Sequence, residues 1–419
     1  MATTASILVV GTADTKSDEL LFLRQCIRDA GGEAQVMDVG ILGEARFPVD
    51  HDRHAVAAAA GTTIAAIASL GDENAAMTAM ARGAAALARR LHDEGRVQGV
   101  LAIGGTMGTD LALDVALALP GGVPKVVLST IAFSHLIPPE RIAPDLTMML
   151  WAGGLYGLND ICRSSLARAA GAVLGAARAS FAATSRRPVV GMTSLGKSCL
   201  AYMVALAPAL AARGYELAVF HTTGMGGRAF ETLAAAGQFA AVMDFSLQEV
   251  ANQLNGSVVS AGPDRLEGAG RAGVPQIVAP GAIDLIDLPT WQGLPQHYAG
   301  RGYHAHNRLI ASVTMTPQER RAAARAVSAR LARATGPVAF VLPLRGIEQW
   351  DRPGEALHDP EGLAAFIDEV RGTIRAPVEL VEVDAHINDA AFVDAVLEVF
   401  DRWVREGVVP RASGAAAAR

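Results

Sequence analysis

Residues 6–40 read SILVVGTADTKSDELLFLRQCIRDAGGEAQVMDVG, and the order of patterns in this stretch decides the fold. A short continuous apolar run is followed by a small polar loop. An amphipathic helix then ends at a glycine pair, and a second apolar run begins. Strand, helix and strand in that order make a βαβ unit, whose strands are buried on both faces.

Working outward, the alternation continues. Residues 57–70 and 75–92 read as helices and 99–103 as a third buried strand. GGTMGTD and a helix over 111–118 come next, then a fourth strand over 125–129 and a fifth over 146–150. This implies an open parallel sheet covered on both sides. Residues 160–180 read as a long Ala-rich helix that runs into the polar, proline-closed stretch ATSRRP at 183–188, the best boundary in the chain. The pattern then restarts with a strand over 189–192, a helix over 198–213 and a strand over 217–221. The loop TTGMGGRAF enters a helix over 229–236, followed by a strand over 240–244. Apolar runs follow at 276–279 and 338–342, with final helices over 361–369 and 389–405. We therefore expect an α/β protein of two Rossmann-like lobes, residues 1–184 and 185–408, each with a parallel sheet and with a central cleft between them. Residues 409–419 read as a flexible tail.

Bulk composition agrees with that class. A chain of 419 residues exceeds the size at which a single core stops growing. The apolar half is rich in small residues and poor in aromatics, which suits helices packed closely on parallel strands. A net charge of -6, without Lys/Arg clusters interleaved with aromatics, argues against a nucleic-acid partner. Cys26, Cys162 and Cys199 are far apart and lack metal-type spacing, so they read as reduced, mostly buried thiols. Cys199 falls in the first turn of a predicted helix, where a thiolate would be favoured. The opening MATTASILVV has no basic n-region, and no run approaches the ~18 apolar residues of a membrane span. The expectation is a soluble, cytoplasmic protein with no membrane partner.

Ligands of open parallel sheets bind at the carboxyl ends of strands, and four loops there are rich in Gly, Thr and charge. The first holds Thr12, Asp14, Thr15 and Lys16. The second holds Gly104, Gly105, Thr106, Gly108 and Thr109. The third is GMTSLGKS, residues 191–198, ending Gly196-Lys197-Ser198. The fourth, after His221, holds Thr222, Thr223, Gly224, Gly226, Gly227 and Arg228. Glycines let backbone N–H groups approach an anion, helix N-termini favour it, and hydroxyls and cations complete the seat. Taken singly, each could be a tight strand-to-helix turn. Together they point to an anionic ligand, a nucleotide or an acidic substrate. GMTSLGKS also satisfies G-x-x-x-x-G-K-[ST], the phosphate-binding P-loop. A working P-loop needs an Asp ending a neighbouring strand, which Asp244 offers, but that fold leaves the first lobe's glycine loops unexplained.

Candidate acid/base groups are His221, Glu231 and His306. Ser246 and Glu249 have the spacing of a helix capping box, a sufficient structural reason for Glu249. His297, His304 and His306 could serve a metal, but no carboxylate of fixed spacing accompanies them; a substrate loop bearing Arg and aromatics is the alternative. His386, Asn388 and Asp389 precede the last helix and read as a cap.

GTADTKSDEL, IGGTMGT, PKVVLST, DLTMML with GLYGLNDICRSSLARAAGAVLG, FHTTGMGGRAFE, SAGPDRLEGA, VPQIVAPGAIDLID, YHAHN and HINDAAF together resemble one family over nearly the whole chain. It is the Tm-one-like ATP-binding domain family, typified by the N-terminal region of the tomato mosaic virus resistance protein and with many bacterial members. The resemblance implies two Rossmann-like lobes, ATP and Mg²⁺ as cofactors, and a homodimer, but no particular reaction. Where relatives have G-x-T-M-F-G-V-T-T-P, this chain has GMTSLGKSCL, so Lys197 is a local peculiarity. AGGLYGLND, beside Trp151, departs as well. The leading expectation is an ATP-binding metabolic enzyme that uses nucleotide or phosphate activation on a small acidic substrate in the inter-lobe cleft. An ATP-independent lyase or hydrolase of a carboxylated compound, and a non-enzymatic nucleotide sensor, stay open beside it.

Overall fold

A computed structural model describes residues 4–179, 187–198 and 200–412. Cys199, most of the predicted 183–188 boundary and the end of the tail lie outside the described residues. The chain divides into two compact units, residues 1–182 and 183–419.

In unit 1 the strands are β1 (Ser6–Gly11), β2 (Glu33–Asp38), β3 (Gly99–Gly104), β4 (Lys125–Ser129) and β5 (Leu146–Leu150). All pair in parallel in the order β2-β1-β3-β4-β5. The chain thus moves one way from β1 to β2 and the other way from β3 onward, leaving a switch point between β1 and β3. Strand alternation explains the unbroken apolar runs. Ile7, Val9, Leu101 and Ile103 face helices α1 (Ser17–Asp29) and, from the end of the unit, Asp160–Arg178. Leu8, Val10, Val100 and Ala102 face the opposite layer, α2 (Arg53–Ala59), α3 (Ile64–Ala68), α4 (Glu73–Asp93) and α5 (Thr106–Ala118). Asp160–Arg178 is α6.

Unit 2 repeats the plan on a larger scale. Its main sheet contains β6 (Val189–Ser194), β7 (Glu216–His221), β8 (Ala241–Ser246), β9 (Gln276–Gly281) and two later strands, Val338–Pro343 and Glu379–Val383. Between β9 and these two the chain inserts a small antiparallel sheet of β10 (Leu285–Pro289), β11 (Tyr303–Ala305) and β12 (Ile310–Thr314), so the later pair are β13 and β14. The main sheet is parallel in the order β14-β13-β9-β8-β6-β7, with its switch point between β6 and β8. Helices α7 (Ala201–Ala212), α8 (Met225–Ala235), α9 (Gln248–Leu254), α10 (Gly268–Arg271), α11 (Pro317–Leu331), α12 (Pro360–Thr373) and α13 (Ala390–Glu406) complete the unit. Tyr202, Leu206, Phe392 and Phe400 from α7 and α13 cover Met192, Met243, Ile277 and Val341. Val278 and Phe340 point the other way, with Ala323 and Phe366 of α11 and α12.

Several local expectations are corrected. The helix predicted over 57–70 is two helices, because Gly61 adopts φ +76° and Thr63 caps α3 by accepting from the Ala66 N–H. Helix α5 starts at Thr106, inside the supposed loop. The antiparallel insertion and β14 lack counterparts in the predicted pattern. The tail, expected to fray from 409, instead buries Val409 fully, and the Pro410 carbonyl accepts from Tyr215 Oη at 2.8 Å. Among the described residues no helix is long and apolar enough to cross a membrane.

Candidate functional site

At the switch point of unit 1 lies a cavity of about 600 Å³. The β1–α1 loop contributes Thr12, Asp14, Thr15 and Lys16 to its wall, and the β3–α5 turn contributes Gly104, Gly105, Thr106 and Gly108. Ile41, Leu42, Ile67, Ala68, Ala76 and Met77 make an apolar side. Gly104 brings strand end and helix start together, since a Cβ there would fall 2.6 Å from the Gly108 backbone. Helix α5 begins behind Gly105 and α1 behind Lys16, and neither start is capped by a side chain. The first residues of α5, Thr106, Met107 and Gly108, therefore bring its orphan N–H groups and favourable dipole to the cavity, and Lys16, just before α1, stands in the same wall. The Thr12 and Thr15 hydroxyls bond each other at 2.8 Å, and Lys16 Nζ stands 5.0 Å from the Tyr156 ring centroid. Asp14 Oδ2 accepts from the N–H groups of Leu42 and Gly43 at 3.0 and 3.2 Å, while its buried Oδ1 has no partner among the described residues. Beneath it, burial pushes the Asp38 carboxyl up although the Gly40 and Ala13 N–H groups donate to it. Thr109 is off the wall, its hydroxyl buried against Ser129 Oγ at 2.7 Å.

Unit 2 has a second cavity of about 460 Å³, at the carboxyl ends of β6 and β7. Gly196, Lys197, Ser198, His221, Thr223 and His306 meet here, joined by Asp287, His304, Asn307 and Trp350. GMTSLGKS does not form a P-loop. Gly191 sits inside β6, paired with Ala218 and Val242, where a Cβ would strike the Phe239 ring at 2.8 Å. Only residues after Ser194 leave the sheet, and α7 starts at Ala201, beyond the Lys-Ser pair. No loop remains to wrap a phosphate between the two glycines. Asp244, the P-loop's expected second partner, is instead buried against Arg265.

The insertion supplies the polar depth of this cavity. Ser312 Oγ donates to Asp287 Oδ1 at 2.5 Å, and His306 Nε2 lies 3.1 Å from the same hydroxyl. Asn252 Nδ2 donates to Asp287 Oδ2 at 3.0 Å. The His304 ring centroid lies 4.0 Å from Trp350 and 4.7 Å from His306. Burial holds both imidazoles below the ordinary histidine range, and His304 adds to the effect on His306. Burial also pushes the Asp287 carboxyl up, against its hydrogen bonds from Ser312 and Asn252. The hydroxyl of Ser198, buried in the wall, has no partner among the described residues. His297 packs on Tyr298 instead, and among the described residues no three metal-ligating side chains gather.

The loop after His221 is already filled from inside. Gly224 and Gly227 donate their N–H groups to Glu249 Oε1 at 2.6 and 3.3 Å, and a Cβ on Gly227 would fall 1.7 Å from Glu249 Oε2. Gly226 packs on the His221 carbonyl, Arg228 pairs with Asp264 at 2.6 Å, and Thr222 is buried against Ser246 at 2.9 Å. Glu249 forms no capping box: α9 starts behind Leu247 without a side-chain cap. Glu231 is likewise removed from solvent chemistry. Fully buried Arg265 reaches Asp244 through both Nη atoms at 2.5 and 2.7 Å, Glu249 at 2.8 Å and Glu231 at 3.0 Å. Glu231 also accepts from the N–H groups of Leu266 and Gly268. Burial pushes Glu231 up, and Glu249 to about 7, with Arg265 pulling the other way. Within FHTTGMGGRAFE and SAGPDRLEGA, Glu231 and Arg265 thus serve a buried ionic knot.

Residues that sequence reasoning missed are Asp287, Ser312, Asn252, Trp350 and Glu348; Asp284, which the sequence places as a loop acid, shares a second acidic group with Glu348. Glu348 and Asp284 are buried, with Glu348 Oε1 and both Asp284 oxygens lacking hydrogen bonds among the described residues. Arg320 lies 3.3 Å from Asp284. His386 Nδ1 accepts from the Asn388 backbone N–H, so Nε2 donates to Asp351 Oδ1 at 3.0 Å, and the Asp389 carboxylate accepts from the His386 backbone N–H. The one signal in sequence is the pair of acids in GAIDLID, which looks like loop polarity until the insertion folds back.

Residues 5–182 match the N-terminal domain, and residues 187–404 the C-terminal domain, of the family described as "Uncharacterised protein family (UPF0261)". A UPF0261 protein of Brucella melitensis is 58% identical over 403 residues, 96% of each chain. One from Clostridium tetani is 33% identical over 392 residues, 93% of this chain and 96% of that one. The ToMV resistance protein Tm-1(GCR237) of Solanum lycopersicum is 29% identical over 424 aligned positions, 94% of this chain and 55% of that protein.

Proposed function

The chain belongs to the UPF0261 family, and we propose that it is an ATP-binding metabolic enzyme whose nucleotide site is the switch-point cavity of unit 1. One observation carries this reading: the start of α5, without a side-chain cap, lines the cavity, and Lys16 stands in the same wall. An anion is the natural occupant of such a place. The apolar side made by Ile67, Ala68 and Met77 suits a base, and the polar end suits phosphates. Mg²⁺ takes one or two carboxylates and keeps water in its remaining positions. Asp14, with Oδ1 unpartnered, is the carboxylate that fits it. When bound, the metal nucleotide supplies an activated phosphoryl group. This chain's part is to seat the phosphates on the α5 N–H groups and the Thr12 and Thr15 hydroxyls, and to offset their charge with Lys16. We place the acceptor in the class of small acidic compounds.

Calorimetry and thermal shift with MgATP and ADP test the site, with Gly105→Asp as the diagnostic variant. Gly105 has φ -76°, and a Cβ there would meet only Thr130 Oγ1, at an ordinary contact distance of 3.8 Å, so an aspartate fits and supplies the missing cap to α5. Its carboxylate then occupies the phosphate seat. The expected result is an unchanged or higher melting temperature together with at least tenfold weaker MgATP binding. Wild-type protein at 100 times its dissociation constant should gain roughly 2.7 kcal/mol. Absence of heat and shift with either nucleotide, or undiminished binding by G105D, removes the proposal.

A further inference from the structure

We propose that the cavity of unit 2 is a separate binding site for a small organic acid, with Lys197 and Ser198 taking its carboxylate and His306 Nδ1 standing as the proton acceptor. This inference uses residues of unit 2 alone and does not rest on the nucleotide reading.

Hydrogen-bond accounting sets the state of His306. The Ser312 hydroxyl has one proton, and it goes to Asp287 Oδ1 at 2.5 Å. Toward His306, 3.1 Å away, the same oxygen can only accept, so Nε2 carries the ring hydrogen. A neutral imidazole has one such hydrogen, which leaves Nδ1 as a lone pair with no partner among the described residues. Asp287 is itself held in place by Asn252. The order Asp287, Ser312, His306 therefore fixes one tautomer and one ring orientation, as an orienting carboxylate does for a general base. Burial and neighbouring His304 keep the ring neutral, so the Nδ1 lone pair stays unprotonated.

Ligand chemistry follows from the other lining residues. Exposed Lys197 and the buried Ser198 hydroxyl, which lacks a partner among the described residues, both line the cavity. A buried hydroxyl without a partner is costly, and an incoming acceptor oxygen relieves that cost. A cation, a hydroxyl donor and a lone-pair base in one cavity suit a carboxylate whose adjacent carbon reaches His306. Ser312 and Asn252 each donate to one Asp287 oxygen, which offsets part of its negative charge, and Lys197 supplies the countercharge for the ligand.

Affinity alkylation of the full chain tests the site without nucleotide. Bromoacetate is the probe, bromoacetamide its neutral counterpart, and exposed His54 the internal reference. In the reaction the Nδ1 lone pair bonds to the CH₂ carbon as the C–Br bond breaks and bromide leaves. The Nε2 hydrogen stays on the ring against Ser312. Peptide mass spectrometry and the carboxymethylhistidine isomer are the readouts. His306 should react roughly tenfold faster with bromoacetate than with bromoacetamide, the factor that one charge-assisted hydrogen bond supplies. His54 should show no preference. The product should be the Nδ1 isomer, malonate should protect it, and K197A should abolish the preference for the anion. Equal rates at His306 and His54, a predominant Nε2 product, or protection by inorganic phosphate but not by malonate overturns the proposal.

Discussion

Replacing Arg265 by methionine (R265M) is the sharpest test of the claim that the glycine loop after β7 is a structural knot. The guanidinium is fully buried and faces the carboxylates of Asp244, Glu249 and Glu231, all of them buried too. Removing one partner of a buried ion pair costs about 3–5 kcal/mol, since the other charge is left without compensation. Here three charges lose it, so that range is a floor. For a unit of this size each kcal/mol moves the melting temperature by roughly 2–4 °C, so a fall of roughly 6–20 °C is expected. The pH dependence identifies the cause. Glu249 already sits at about 7, above its unfolded value. Its stability contribution is therefore present below the ordinary carboxyl range and lost as pH rises through about 7. Without Arg265, whose charge pulls Glu249 and Glu231 down, those two carboxyls move further up, so R265M should be hurt less at pH 5 than at pH 8. Differential scanning calorimetry of the full chain at both values measures this. R265K, which keeps the charge but not the fork, should fall between the two and guards against a variant that fails to fold. R265M melting within about 2 °C of wild type at pH 8, or an R265K as damaged as R265M, would refute the knot.

Lys197→Ala should leave MgATP affinity within twofold of wild type, because GMTSLGKS forms no P-loop and Lys197 lines the cavity of unit 2; a tenfold loss in calorimetry would contradict that placement. Glu348→Gln should flatten the alkaline side of the stability curve. Burial, with Asp284 and Asp351 beside it, pushes Glu348 up to about 9. Its stability is therefore complete below the unfolded carboxyl value and lost as pH rises through about 9, at up to about 1.4 kcal/mol per pH unit. Melting curves of E348Q from pH 5 to 9 should decline less than those of wild type, and parallel declines would reject the assignment. Asp14→Asn should weaken nucleotide binding in the presence of Mg²⁺ more than in EDTA; equal losses would show that Asp14 does not serve the metal.

Fold class was legible because both units bury their strands on two faces. Runs such as ILVV and FVLP then carry no ambiguity once helices with 3.6-residue spacing separate them. Strand order was beyond reach, since it depends on which crossover passes over which face. The antiparallel insertion was harder still. Its strands at 285–289, 303–305 and 310–314 are short and half-polar, and their partners are set by tertiary packing against α9. His306 was visible as a residue type with useful chemistry. The Asp287–Ser312 pair that orients it comes from two strands whose register no local pattern announces.

The glycine loops show where composition stops being informative. GGTMGT and TTGMGG have nearly the same letters and both lie between a parallel strand and a helix. In the first, Gly105 leaves the start of α5 uncapped at a cavity. In the second, Glu249 reaches across from α9, takes the N–H groups of Gly224 and Gly227, and leaves no room for a ligand. Both loops satisfy the same physical demand, an anion at a helix N-terminus. One meets it with a side chain of its own chain, held in turn by Arg265, and the other has no side-chain cap. The difference lies in residue 249, more than twenty positions beyond the loop, and it becomes readable only when the sheet order brings the β8–α9 turn beside the end of β7.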